Sequence, residues 1–222
     1  MKVPITWLKD FVDITIPLPE LAARLTMAGL EVEEIIYIGL PLPQAIQAGN
    51  QGSDIRFTLN ISGLSWEPDK IVVASVSEVM PHPNADRLVL CKLYDGDRDH
   101  VVLTGAPNLY PFKGLGPLPT HLKVAYARQG AHIYDGHQPG RVLTTLKPAK
   151  IRGVESYSMI CSEKELGISD DHEGVIILDQ DAPVIEEHGL RLLERDAVFA
   201  LVLGVLGWVP FEAQHGFIIT TL

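Results

Sequence analysis

The sequence predicts an α+β protein, with helices and one strand opening the chain and an all-β segment in its middle. Three observations carry that prediction. Apolar residues recur at helical spacing across residues 4–29. From Lys70 the pattern changes to short runs rich in β-branched residues, parted by Pro, Gly, Asn and Asp. The 222 residues are enough for one large domain or two small ones, each with its own core.

The elements follow in order. Pro4 suits a first helical turn, and Trp7, Leu8, Phe11 and Val12 then share one face. Pro19 starts a second helix with Leu21, Ala22 and Leu25 facing inward, and Gly29 stops it in the C′ position. EVEEIIYI, residues 31–38, reads as a strand. Residues 39–69 are broken by Gly, Pro, Asn, Gln and Ser, and read as a linker with one short strand at Ile55–Ile61. Five β-runs come next: IVVASVSEVM, RLVLCKLYD, DHVVLTGA, HLKVAYA and RVLTTLKP. Five strands in so short a span suit a small closed barrel, because closure removes adhesive edges. A five-stranded barrel of the OB type is the first expectation and an SH3-like barrel the alternative. GVIILDQDAP, residues 174–183, offers a further strand, followed by a helix near Ile185–Glu194.

Hydrophobic residues make up 46% of the chain and charged residues 21%, as in ordinary soluble domains. Cys91 and Cys161 form no CxxC pair, so neither a zinc site nor a disulfide framework is indicated and a reducing cytoplasm is expected. No secretory leader is visible at the start, and the apolar run Ala197–Val209 is too short to span a bilayer, so no membrane association is expected. The net charge of −10 hides a pattern. Residues 1–69 carry four basic and nine acidic side chains, residues 70–165 twelve and nine, and residues 166–222 two and ten. A mildly basic middle, +3, therefore lies between acidic flanks of −5 and −8.

Two stretches in that middle could carry function. In HPNADRLVLCKLYDG, residues 82–96, Pro81 and Pro83 restrict the backbone on either side of His82. Asn84 and Asp86 can close the turn through backbone N–H groups, and Arg87 emerges as the next strand begins. The corner is then either a turn and no more, or a loop of the kind with which OB barrels hold oligonucleotides. In KPAKIRGVESYSMICSEKELGI, residues 147–168, Lys147, Lys150 and Arg152 fall within six positions, and Ser156 and Ser158 could add neutral contacts. Several cations held together suit phosphates, because each neutralised phosphate releases counterions; the same cations also suit an exposed basic loop. Glu163, Lys164 and Glu165 read as a solvated helical turn. The histidines are scattered without metal-ligand spacing, and GxSxG, P-loop and GxGxxG motifs are missing. No catalytic or metal residue is nominated.

Taken together, IVVASVSEVMPHPNADRLVLCKLYDG and LKPAKIRGVESYSMICSEKELGI resemble the tRNA-binding OB domain. That domain is shared by the bacterial phenylalanyl-tRNA synthetase β subunit, the C-terminal extension of methionyl-tRNA synthetase and free-standing tRNA-binding proteins. The opening VPITWLKDFVDI with LAARLTMAGLEVEEI, and VVLTGAPNL at 101–109, look like the amino-terminal region of the β subunit. The resemblance implies a small α/β domain, residues 1–38 and 152–200, split by an insertion. The insertion would be a linker at 39–69 and the barrel at 70–151, with an atypical apolar tail at 201–222. Strands at 31–38 and 174–179 would pair across it. The resemblance also implies an enzyme that joins phenylalanine to tRNA with ATP and magnesium, as an α2β2 assembly whose α subunit holds the active site. The expected role of this chain is tRNA binding through His82, Asn84, Asp86, Arg87, Lys92, Lys147, Lys150, Arg152 and Ser156. No catalysis is expected from it alone. The alternative is a free-standing OB module that binds RNA or a protein partner, with self-association through the apolar tail. Three departures stand out: residues 40–69 are long, Ser158 replaces the usual Gly of an SxGM pattern, and the sequence stops where the family continues, so either a truncated subunit or a paralogue is expected.

Overall fold

The computed structural model describes residues 2–42, 59–180 and 199–203. The helix read at 185–194, most of the apolar tail and half of the 39–69 linker lie outside the described residues. The chain divides into two units, residues 1–65 with 195–222, and residues 66–194. Strands dominate and helices are few. No helix among the described residues is long and apolar enough to cross a membrane.

In the first unit a four-stranded sheet runs in the order β1 (Lys2–Pro4), β14 (Phe199–Leu203), β2 (Val32–Gly39), β3 (Asn60–Ser65). β2 is antiparallel to β14 and parallel to β3. Its near-continuous apolar run fits a strand covered on both faces, and Val32 and Ile35 to Ile38 are all buried. Gly63 lies opposite Tyr37, where a Cβ would stand 2.1 Å from the Tyr37 carbonyl oxygen, so only glycine admits this close approach. Helix α1 (Ile5–Lys9) and helix α2 (Leu18–Met27) belong to the same unit. Ile5, Ala22, Val32, Ile35 and Tyr37 form its core, with Leu8, Leu21 and Leu25 packed against it. The inward face of α2 is the one the sequence indicates. Its end is a Schellman turn: the Leu30 N–H donates to Leu25 O, the Gly29 N–H donates to Thr26 O, and Gly29 sits at φ +93°. The first helix differs from expectation. It is only five residues long, and Ile5 and Leu8 meet the core while Trp7, Phe11 and Val12 stay exposed. The helix ends at Lys9, so Phe11 and Val12 fall in the turn that follows it.

The second unit is built on β4 (Ile71–His82), β5 (Ala85–Tyr94), β6 (Asp99–Thr104) and β7 (Pro117–Ala127), antiparallel in the order β7, β4, β5, β6. The first four β-runs are therefore strands of one sheet. The fifth, RVLTTLKP, is not. Its Leu143–Thr145 (β9) pairs with His132–Tyr134 (β8) in a separate hairpin. Met159–Ile160 (β12) and Ile177–Leu178 (β13) share β7 as partner instead. The fifth position of the sheet is thus a composite of two short pieces, stitched by the Ile176 N–H donating to Cys161 O and the Cys161 N–H donating to Ala125 O. For the same reason the 174–179 stretch does not pair with β2; its ladder is with β7. β12 and β6 approach within 8 Å between Cα atoms, but no ladder joins them among the described residues.

Val72, Ala74 and Val76 of β4 point into the core, and a bulge before Glu78 shifts the alternation so that Val79 continues it. Val89, Cys91 and Leu93 of β5, Val102 of β6, and Val124 and Tyr126 of β7 meet them there. A 3-10 helix, Pro107–Phe112, adds the fully buried Leu109. Asn108 holds this helix in place: its Nδ2 donates to Val175 O at 2.8 Å and its Oδ1 accepts from the Val175 N–H at 3.2 Å.

One buried charge closes the β5–β6 turn. Asp95 is 1% exposed and accepts from Arg128 Nε at 2.8 Å and from the Asp97 and Arg98 N–H groups. Burial pushes its carboxyl up, but the two backbone donors and the guanidinium outweigh this and hold it below the ordinary carboxylate value. A depressed folded value stabilises the fold fully above the unfolded carboxylate value, and the contribution is lost as pH falls through the folded one. Asp95→Asn is expected to lower stability at neutral pH by about 2–4 kcal/mol. Urea titrations at neutral and acid pH check it: the gap to wild type narrows on acidification, and a gap that does not narrow refutes the assignment.

Candidate nucleic-acid interface

The β4–β5 hairpin makes the first tip. His82 pairs with Ala85, leaving Pro83 and Asn84 as a two-residue turn. The turn is locked from inside, because the Asn84 N–H donates to His82 Nδ1 at 3.0 Å. That bond places the ring proton on Nε2, which is buried with no partner among the described residues. His82 itself is 6% exposed, so it shapes the corner from beneath. Asp86 and Arg87 are exposed. Their carbonyl oxygens are clamped from the 3-10 helix side: Lys113 Nζ donates to Asp86 O and Tyr110 Oη to Arg87 O, both at 2.7 Å. No spacing or motif announces this clamp; the tyrosine and lysine in LYPFK are its signal.

The second tip is the hairpin of β10 (Ala149–Ile151) and β11 (Val154–Ser156). Arg152 and Gly153 form its two-residue turn, with φ of +51° and +92°. Positive φ at both central positions is the mark of a type I′ turn, whose twist matches the flanking strands. Glycine meets this demand freely; arginine does not, and Arg152 is the one non-glycine residue at positive φ among the described residues. Lys147, Lys150 and Arg152 are all exposed. Lys150 lies opposite Glu155 in the ladder. Tyr157, 51% exposed, follows the hairpin and donates its hydroxyl to Glu155. That carboxylate raises the Tyr157 phenol above its ordinary value.

The two tips meet. Asn84 Nδ2 donates to Arg152 O at 3.5 Å, a long bond at the limit of useful geometry, and lies 3.9 Å from where a Cβ of Gly153 would stand. The cations nearest this contact along the two hairpins are Arg87, three residues past Asn84, Lys150, two before Arg152, and Arg152 itself, with Lys147 preceding β10. Lys92 is not among them. It sits mid-strand on β5 opposite Glu78, five residues or about 17 Å along the strand from Arg87. Ser156 is buried, and its hydroxyl donates to Ser158 O at 2.8 Å, shaping the turn after β11. Glu163 to Glu165 do not form a solvated turn: the Glu165 carboxylate accepts from both Ser162 N–H and Oγ, and Glu163 accepts from Ser169 Oγ.

Both cysteines are buried. Burial pushes the Cys91 thiol up to about 12 and raises Cys161 as well, so neither supplies a thiolate near neutral pH. Among the described residues no group of three or more His, Cys, Asp or Glu could hold a metal ion.

Comparison with known proteins gives this surface a context. Residues 136–187, which include the whole β10–β11 hairpin, match the family described as "Putative tRNA binding domain". The phenylalanine–tRNA ligase β subunit of Dehalococcoides mccartyi is 41% identical over 184 residues, 83% of this chain and 18% of that protein. Those of Syntrophus aciditrophicus and Geobacter metallireducens are 36% and 37% identical over 90% and 91% of this chain, each matched over 20% of its own length. A crystal structure of a MetRS related protein from Pyrococcus horikoshii aligns with 52% of this chain and 84% of that one, at 19% identity and a TM-score of 0.34. This chain is a relative of the phenylalanine–tRNA ligase β subunits, spanning about a fifth of their length, and its basic hairpin falls within the stretch that matches the tRNA-binding family.

Proposed function

We propose that this chain is the tRNA-binding, amino-terminal region of a phenylalanine–tRNA ligase β subunit. In this reading the sheet of the second unit is a five-position OB barrel with a composite fifth strand. The approach of β12 to β6 and the single core shared by β4, β5, β6, β7 and β12 support it. The barrel is inserted into an α/β domain assembled from the two ends of the chain. The whole enzyme would join phenylalanine to tRNA with ATP and magnesium, its α subunit carrying the catalytic site, and this region would supply grip.

One observation carries the reading: the contact of Asn84 with Arg152, which brings together two hairpin turns distant in sequence, each with exposed cations close by along its chain. Arg87, Lys147, Lys150 and Arg152 would meet phosphates. Asn84 would meet the ribose or base as well as tie the tips. His82, Asp86 and Ser156 would fix the shape on which these depend, and Lys92, being remote, would add a weaker phosphate contact.

The test is a titration with tRNA across a range of salt. Affinity should fall linearly on a log–log scale with a slope no steeper than about −4, since about four cations are available and each neutralised phosphate contributes roughly −0.9. Binding that ignores salt, or none at low salt, defeats the proposal. Arg152→Asn separates grip from fold. Asn accepts positive φ more readily than Arg, so the thermal midpoint should hold or rise, while the salt slope should shrink by about one. A variant that unfolds earlier, or that binds as before, contradicts the role given to Arg152.

A further inference from the structure

The β10–β11 hairpin carries more than cations. Lys150 faces Glu155 across the ladder, and Tyr157, two residues after Glu155, lies on the same side and reaches back to its carboxylate. An aromatic ring half open to solvent, a carboxylate anchored beside it and a flanking lysine form a compact set. A surface that only attracted phosphates would gain nothing from Glu155, whose charge opposes that of Lys150 and repels the backbone of a nucleic acid. The ring likewise gains little from a duplex, whose bases are stacked away. Both groups acquire a purpose if a single base leaves its stack. The ring offers a face for stacking, and the carboxylate accepts N–H groups from the base edge.

We infer that Tyr157 and Glu155 form a nucleobase subsite for an unstacked guanine, with Lys150 and Arg152 holding the phosphates on either side. This rests on the RNA-binding reading above and deepens it. Guanine is chosen on chemistry: its Watson–Crick edge presents N1–H and N2–H side by side, both donors to a carboxylate. Adenine and cytosine mix a donor with an acceptor there, and uracil flanks its one N–H with two carbonyl oxygens that the carboxylate repels. The Tyr157 ring carries the base while the Glu155 carboxylate reads its edge.

Fluorescence anisotropy with labelled hexanucleotides tests this on the full chain. The probes are an all-uridine RNA and the same RNA with one central guanosine. Wild type should prefer the guanosine probe to all-uridine by roughly tenfold. Tyr157→Ala should weaken the guanosine probe roughly five- to hundredfold without altering the salt slope, Tyr157→Phe should retain most of the affinity, and Glu155→Gln should abolish the preference for guanosine while leaving overall affinity equal or higher. Full affinity in Tyr157→Ala, or a guanosine preference that survives Glu155→Gln, overturns the subsite. So does a Phe variant as weak as Ala, which would make the hydroxyl structural. These outcomes leave salt-dependent tRNA binding intact; loss of all RNA binding by wild type would sink the broader proposal instead.

Discussion

The twelve-residue strand β4 is the constraint on which the second unit hangs. It is paired on both edges, with β5 and with β7, and its inward residues fill the centre of the core. A register slip of one residue would turn those side chains to solvent. The ladder therefore fixes the length of β4, its length fixes the place of the Pro83–Asn84 turn, and that place fixes Asn84. The β10–β11 hairpin has a smaller foundation, the approach of β11 to β6 and the buried Ser156 at its end. Two three-residue strands are marginal alone in water. Asn84, at the turn of the longer hairpin, touches the shorter one at Arg152. Order passes outward, from core to ladder to tip.

The two tips also share a kind of local discord. At the first, His82 is buried with one ring nitrogen unpartnered, an arrangement that costs stability unless the turn it locks has some use. At the second, Arg152 occupies a left-handed conformation that Asn or Gly would adopt with less strain. His82 orders its turn at that cost, whereas Arg152 gives the fold nothing that Asn or Gly would not. Both occur where two exposed turns converge and cationic side chains project, which is where positions chosen for ligand contact are expected to break local rules.

Much of the fold is legible in the residues. The alternation of Val89, Cys91 and Leu93 marks β5, Pro83 and Asn84 mark its turn, and Gly29 ends α2 where its backbone freedom is needed. The rest is hidden for physical reasons. RVLTTLKP has a strand's composition, yet composition does not name a partner, and β9 finds its partner in the nearby β8. β12 and β13 are two residues each, too short to show a period, and are strands only because β7 presents an open edge. The partners of β2 come from residues 60–65 and 199–203, which no pattern in EVEEIIYI could indicate. At the interface the cations were readable as a cluster, but their meeting with the 82–87 corner depends on a contact spanning 68 residues. The burial of His82 and the clamp from Tyr110 and Lys113 depend on tertiary packing in the same way.

The charge pattern separates strength from selectivity. A surface built for affinity alone would collect cations, since every added Lys or Arg deepens the potential and steepens the salt response. Here the middle of the chain has a surplus of only +3, and the proposed interface sets Arg87, Lys147, Lys150 and Arg152 against Asp86 and Glu155. Asp86 offers its carbonyl to Lys113, and its backbone role explains its position better than its charge does. The Glu155 side chain clamps no such carbonyl: it accepts the Tyr157 hydroxyl and lies opposite Lys150 in the ladder. An acid kept on a phosphate-facing hairpin weakens every nucleic acid roughly alike through its charge, but through its acceptor oxygens it favours only those that present N–H groups to it. Discrimination is a difference between affinities. Surrendering part of the common attraction for a contact that only some ligands can make is how a weakly basic surface becomes a selective one.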